Sequence, residues 1–204
     1  MITPTLLKQF PIISDQVDAR ELSAILTELE KLLAQGKRGN IVELGCYVGT
    51  TSLFIRRLMN EYKAMDEFHV YDSFEGLPEK TQQDMSVAGD QFVAGALHAT
   101  RRALLDNFKK AHLAAPFVHK GWFSDLSPSD LPDGILFAFL DGDYYESIRD
   151  SLKLIENKLL PGAVIVVDDY ASEALPGAAR AADEWANRKG CRVQSMASLG
   201  IIRT

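Results

Sequence analysis

Short apolar runs alternate with stretches of helical periodicity along most of this 204-residue chain, and that alternation constrains its fold more than any other feature. "NIVELG" (Asn40–Gly45), "FHVYD" (Phe68–Asp72), "FVHKG" (Phe117–Gly121), "ILFAFLD" (Ile135–Asp141) and "AVIVVDD" (Ala163–Asp169) read as buried strands. "ARELSAILTELEKLLAQ" (residues 19–35) reads as an amphipathic helix with Leu22, Ile25, Leu26, Leu29, Leu32 and Leu33 on one stripe, and Gly36 stops it. "TTSLFIRRLMN" is also helical, as is the stretch carrying Arg101, Arg102, Lys109 and Lys110 on a solvated face. Ile148, Leu152, Ile155 and Leu159 form an apolar helix face, and Leu175–Gly190 is a helix with Pro176 in its first turn and Gly190 at its end. "CRVQSM" and "LGIIRT" are expected to close the chain as an antiparallel pair. Such alternation predicts an α/β fold: a mostly parallel sheet, helices on both faces, and a terminal antiparallel strand. No repeat or low-complexity linker interrupts it, so residues 1–204 are expected to form one domain with an N-terminal helical segment over 1–37. Residues 79–98 are polar and glycine-containing; they are expected outside the sheet, as a lid insertion.

In an open parallel sheet, ligands bind beyond the carboxyl ends of the strands. Glu43, Gly45, Asp72, Gly121, Asp141, Asp168 and Asp169 all fall at or near such ends, so one crevice should gather them. Ionised carboxylates leaving buried strands need a positive partner. Asp141, Asp168 and Asp169 offer oxygen only, with no histidine or cysteine in their motifs, which favours a hard divalent cation such as Mg2+ over zinc. Asp143 could cap a helix beginning at Tyr144, and Glu146 reads as a first-turn helix charge.

"VELGCYVGTTS" is a strand, a glycine turn and a helix start, a geometry that brings backbone close to a ligand. Its G-x-x-x-G spacing, Gly45 to Gly49, departs from the G-x-G-x-x-G of pyrophosphate-binding turns. Asp72 is placed to accept hydrogen bonds from a ribose diol. Cys46 has no histidine companion in its loop and reads as packing. His69 and His119 read as strand residues, and His98 as a candidate lid contact. A net charge of -6 gives no basic patch for nucleic acid or an anionic membrane. No run approaches a membrane span, the N-terminus has no secretory pattern, and Cys46 and Cys191 make no disulfide framework, so a cytoplasmic location is expected.

"IVELGCYVGTTS", "YDSFEGLP", "KGWFSDLSP", "FLDGDYYES" and "LLPGAVIVVDDY", in this order over residues 38–188, together resemble the macrocin O-methyltransferase family. Members are S-adenosylmethionine- and magnesium-dependent enzymes that methylate sugar hydroxyls on macrolide and aminocoumarin antibiotics. The resemblance implies a Rossmann-like class I methyltransferase fold with a seven-stranded sheet. It implies that Glu43 and the turn with Gly45, Tyr47, Thr50, Thr51 and Ser52 hold the methionine part of the cofactor. Asp72 would take the ribose, with Ser73, Phe74, Gly121 and Trp122 around the adenine and Asp141 also at the cofactor. Asp141, Asp168 and Asp169 would be the metal ligands and Asp143 the general base. Trp122 has a competing reading as core; Trp185 reads as core. The acceptor would be a hydroxylated small molecule, and the protein a homo-oligomer, as members often are. Residues 1–37 give no clear match to the segment that closes over the sugar. Three other readings stay open: a catechol-type O-methyltransferase, a glycosyltransferase using "DGD" as D-x-D, and a non-catalytic cofactor-binding module.

Overall fold

The computed structural model describes residues 1–204. In chain order its elements are α1 (Thr3–Gln9), α2 (Ala19–Ala34), β1 (Asn40–Leu44), α3 (Thr50–Glu61), β2 (Phe68–Asp72), α4 (Arg101–Lys110), β3 (Phe117–Lys120), β4 (Ile135–Leu140), α5 (Tyr145–Ile155), β5 (Leu159–Val167), α6 (Pro176–Lys189), β6 (Val193–Met196) and β7 (Leu199–Arg203). The strands form one seven-stranded sheet in the order β3-β2-β1-β4-β5-β7-β6. β7 runs antiparallel to both neighbours, and every other pairing is parallel. The expected architecture is the observed one.

Side chains alternate across a strand, so each central strand feeds two cores. Ile41, Phe137, Phe139, Val164 and Val166 face α2, α3 and α4, meeting Leu26, Leu29, Phe54 and Phe108. Val42, Leu44, Ala138, Leu140, Ile165 and Val167 face α5 and α6, meeting Ile148, Leu152 and Trp185. Trp185 is therefore core, as read from the sequence. α2 starts at a capping box: the Asp18 carboxylate accepts the Glu21 amide, and Glu21 accepts the Asp18 amide in return.

One detail differs from the sequence reading. Leu159 is not on a helix face; α5 stops at Ile155 and Leu159 opens β5 opposite Ile135. The register then shifts, with Phe137 opposite Val164, so the extra β5 residues bulge at Pro161, which has no amide to give a ladder. The short helix α1 lies within the expected N-terminal helical segment, though the sequence sets no bounds for it. It is held by the buried Glu30, whose carboxylate accepts the Thr3 hydroxyl at 2.6 Å, the Tyr62 hydroxyl at 2.9 Å and the amides of Ile2 and Thr3. Residues 79–98 stay out of the sheet, forming two single 3-10 turns at Gln82–Asp84 and Val87–Gly89. Phe92, Ala96 and Leu97 of this segment pack on the small cluster of Leu77, Tyr144 and Leu175. No helix is long and apolar enough to cross a membrane.

Candidate active site

The sheet ladder continues one residue past each central strand, and this last rung places the acids. Asp141 donates its amide to Leu44 and Asp168 donates to Leu140, both at 2.8 Å, while Gly121 donates to Asp72 at 3.0 Å. The carboxyl ends of β1, β2, β4 and β5 thereby open on one cavity of about 450 Å³. Gly45, Tyr47, Asp72, Ser73, Gly121 and Trp122 line it, and Asp141, Asp143, Asp168 and Asp169 form its floor beside them. Trp122 is thus a half-buried wall residue and not core.

The glycine turn has a reason for its glycine. Gly45 has φ +92, and a Cβ there would lie 1.7 Å from the Asp141 carbonyl oxygen. Only a residue without a side chain lets β1 and β4 close to this distance. The turn is held from the neighbouring strand: one Asp72 oxygen accepts the amides of Cys46 (2.9 Å) and Tyr47 (3.0 Å), and the other accepts Phe74 at 2.7 Å. Asp72 therefore shapes the turn and its own loop, leaving lone-pair capacity on the second oxygen for a ligand.

Glu43 lies beneath the turn, 1% exposed, and accepts the Ser52 hydroxyl at 2.5 Å. Burial pushes its carboxyl up to about 8 despite that bond, with the Asp72 charge adding to the rise. Thr50, Thr51, Ser52 and Phe74 are also buried, and like Glu43 they stand behind the cavity wall and not in it. Thr50 shares a 2.7 Å hydrogen bond with Ser14, which ties the N-terminal segment to the start of α3. Cys46 is 6% exposed, and burial pushes its thiol up, so it packs as expected.

Oxygens of Asp141, Asp143 and Asp169 all lie within 4.8 Å of one another. Asp143, expected as the base, thus stands in this group where Asp168 was expected; Asp168 lies outside it but lines the same cavity and accepts the Asp169 amide at 3.0 Å. No lysine, arginine or histidine pairs with any of the four. Asp143 and Asp169 have φ of 60 and 55, left-handed backbone that aspartate adopts more readily than most residues. Asp143 does not cap α5: the helix begins at Tyr145, and no side chain of its N-cap residue, Tyr144, bonds to it. Its turned backbone directs it to the acid group instead.

Crowding raises every member. Burial first, then the Asp168, Asp143 and Asp169 charges, hold Asp141 well above the usual range, and burial with Asp169 does the same to Asp168. Asp143 is pushed up to about 8 by burial and the Asp169 charge, and Asp169 to about 6 by burial and Glu21. The folded protein therefore keeps protons that the unfolded chain, with carboxyls near about 4, has already released. The stability these groups contribute is complete below about pH 4 and is lost as pH rises through about 6 and about 8. In chelator, Tm should fall between about pH 5 and about pH 8.5, and Asp143→Asn should flatten the fall. A slope unchanged by that substitution would contradict the electrostatic account.

Sequence reasoning missed the part of the other wall that comes from the segment before α2. Asp15, Gln16, Asp18 and Glu21, from that segment and the first turn of α2, line the cavity; Glu79, Thr81, Phe92 and Leu97, from the segment expected as a lid, line it too. The capping box of Asp18 and Glu21 was legible in "DARE", but nothing local shows that it faces the strand ends. His98 is exposed and outside the lining.

A sheet of this order with an antiparallel strand inserted before the last, opening on one cavity at its carboxyl edge, defines the Rossmann-like methyltransferase class. Among solved structures, the O-methyltransferase NovP shares it with a TM-score of 0.79 and 23% identity over 92% of this chain and 80% of NovP. The chain belongs to the Macrocin-O-methyltransferase (TylF) family, whose profile matches residues 13–198. It is 32% identical over 152 residues to the 8-demethyl-8-(2,3-dimethoxy-alpha-L-rhamnosyl)-tetracenomycin-C 4'-O-methyltransferase of Streptomyces olivaceus, covering 72% of this chain and 58% of that protein. It is 28% identical over 162 residues to the demethyldecarbamoylnovobiocin O-methyltransferase of Streptomyces niveus, covering 76% of this chain and 61% of that one. The chain thus spans about three fifths of the length of these curated relatives.

Proposed function

We propose that this chain is an S-adenosylmethionine-dependent, Mg2+-dependent O-methyltransferase acting on a hydroxyl of a small glycosylated molecule in the cytoplasm. The observation that carries the proposal is the acid group at the ends of β4 and β5: four carboxylates around one wall, none paired with a basic side chain, beside the glycine turn of β1. An all-oxygen, uncompensated donor set fits a hard divalent cation. Asp141, Asp168 and Asp169 would hold the ion, and when bound it would acidify a nearby acceptor hydroxyl and neutralise the acid group.

The remaining work falls to side chains of this protein. Asp72 and the Gly45 turn would seat the ribose and methionine parts of the donor, with Ser73, Gly121 and Trp122 along the adenine. Glu43, Thr50, Thr51, Ser52 and Phe74 would support that pocket from behind. Asp143 would accept the proton of the acceptor hydroxyl as its oxygen attacks the donor methyl group. The sulfonium leaves as a neutral thioether, so no acid is required. Residues 79–98 and the segment before α2 would limit water and fix the acceptor's orientation.

The lining also supports a narrower reading of the acceptor. Its 30 residues include eleven aspartates and glutamates and no lysine, arginine or histidine. Phosphate recognition relies on such basic groups, so a free glycoside suits the wall better than a nucleotide-linked sugar. The test is methyl transfer from S-adenosylmethionine across a panel of glycosides, nucleoside diphosphate sugars and catechols. Glycosides should be methylated and nucleotide sugars should not. Activity confined to catechols would sink the sugar reading, and no binding of S-adenosylhomocysteine would sink the whole proposal.

A further inference from the structure

Asp84 is a buried acid for which the proposed chemistry has no use. It lies in the 79–98 segment with no exposed surface (0%). One of its oxygens accepts the Tyr145 amide at 2.6 Å, and the other accepts the Thr81 amide at 3.0 Å and the Thr81 hydroxyl at 2.6 Å. Tyr145 is the first residue of α5, and α5 has no cap of its own. Asp84 supplies that cap from 61 residues away in the chain. The first turn of α6 approaches from the other side: a Cβ on Gly177 would lie 1.9 Å from the same Asp84 oxygen and 2.7 Å from the Tyr145 nitrogen. The segment has a second link to this corner, since the Tyr144 hydroxyl donates to the Phe92 carbonyl at 3.1 Å.

Asp143 immediately precedes this pair of anchored residues. An aspartate just before an uncapped helix would ordinarily fold back onto the helix's free amides. Here the cap is taken, and Asp143, at φ 60, joins the acid group. The geometry points to Asp84 as a positioning residue for Asp143: by capping α5 from the 79–98 segment, it makes the seating of that segment and the aim of Asp143 into the cavity a single event. This rests on the reading of Asp143 as the proton acceptor.

The test compares Asp84→Ala, Asp84→Asn and Gly177→Ala in the full chain. Gly177 lines no part of the cavity, and alanine within a helix normally favours the helix, so a loss of turnover there would come through the cap itself, where the added methyl presses on both the Asp84 carboxylate and the Tyr145 amide nitrogen. Asp84→Ala and Gly177→Ala should each lower kcat by about 10²-fold, the scale of a small misplacement of a reacting group, with KM and the Kd for S-adenosylhomocysteine nearly unchanged. Asp84→Asn, which keeps an acceptor for the Tyr145 amide, should recover part of the loss. Hydrogen exchange should rise together in residues 79–98 and in residues 142–147. Unchanged kcat in Gly177→Ala, or faster exchange confined to residues 79–98, would overturn the inference. The exchange measurement needs no turnover: joint exchange in a protein that methylates nothing would support the coupling while removing the activity reading.

Discussion

Asp168→Ala should reduce methyl transfer by at least about 10³-fold, the several kcal/mol that a bound cation contributes at the reacting oxygen. S-adenosylhomocysteine binding should change by only a few-fold. The ladder bond to Leu140 fixes the backbone of residue 168, so alanine keeps the strand end in place and gives up within the fold only the bond from the Asp169 amide. The same substitution should raise Tm in chelator. Burial and the Asp169 charge hold the Asp168 carboxyl well above its ordinary range, which means the fold opposes its ionisation. Removing the group relieves that opposition. A gain in stability joined to a loss of turnover is the signature of an acid kept for a ligand and not for the fold, and unchanged turnover would refute the metal assignment.

Gly45→Ala should have a comparable effect by a different route. The added methyl would meet the Asp141 carbonyl at 1.7 Å, in a backbone region at φ +92 that L-residues rarely occupy. The atom that must give way is backbone in the central strand pair, so neither side can rotate aside. We expect a destabilisation of roughly 2–4 kcal/mol and loss of S-adenosylhomocysteine binding by about 10²-fold or more, because the turn and Asp141 would move apart. Thermal melts and calorimetry check this directly. Wild-type affinity in a variant of lowered Tm would show that the turn does not shape the cofactor pocket.

The sequence carried the sheet well where physics is local. β2 is found at Phe68–Asp72 as read, α2 ends one residue short of the expected 35, and the final two strands pair antiparallel as expected. Short apolar runs and helix stop signals act over a few residues, which is why they are legible. The acids at the strand ends were visible for the same reason, since an apolar run ending in aspartates is unusual wherever it occurs. Long-range contacts were not visible. Nothing in "VDARE" shows that Glu21 turns toward Asp169, and nothing in "TQQD" shows that Asp84 caps a helix 61 residues onward. The cap reading of Asp143 failed on this point, because a distant residue already held the helix end. Glu43 and the Thr50–Ser52 turn share a different limit: a motif shows which residues surround a pocket, but their burial behind its wall depends on packing that only the folded chain reveals.

The central claim is that aspartates from two adjacent strand ends bind one divalent cation beside the cofactor. Calorimetric titration of Mg2+ into protein saturated with S-adenosylhomocysteine tests it most directly. The prediction is one saturable site per chain, tightening as pH rises from about 6 to about 8 while Asp169 and Asp143 shed their protons, and absent in Asp168→Ala and Asp169→Ala. Heat of binding that persists unchanged in both variants, or no site at all in the wild-type complex, would contradict it.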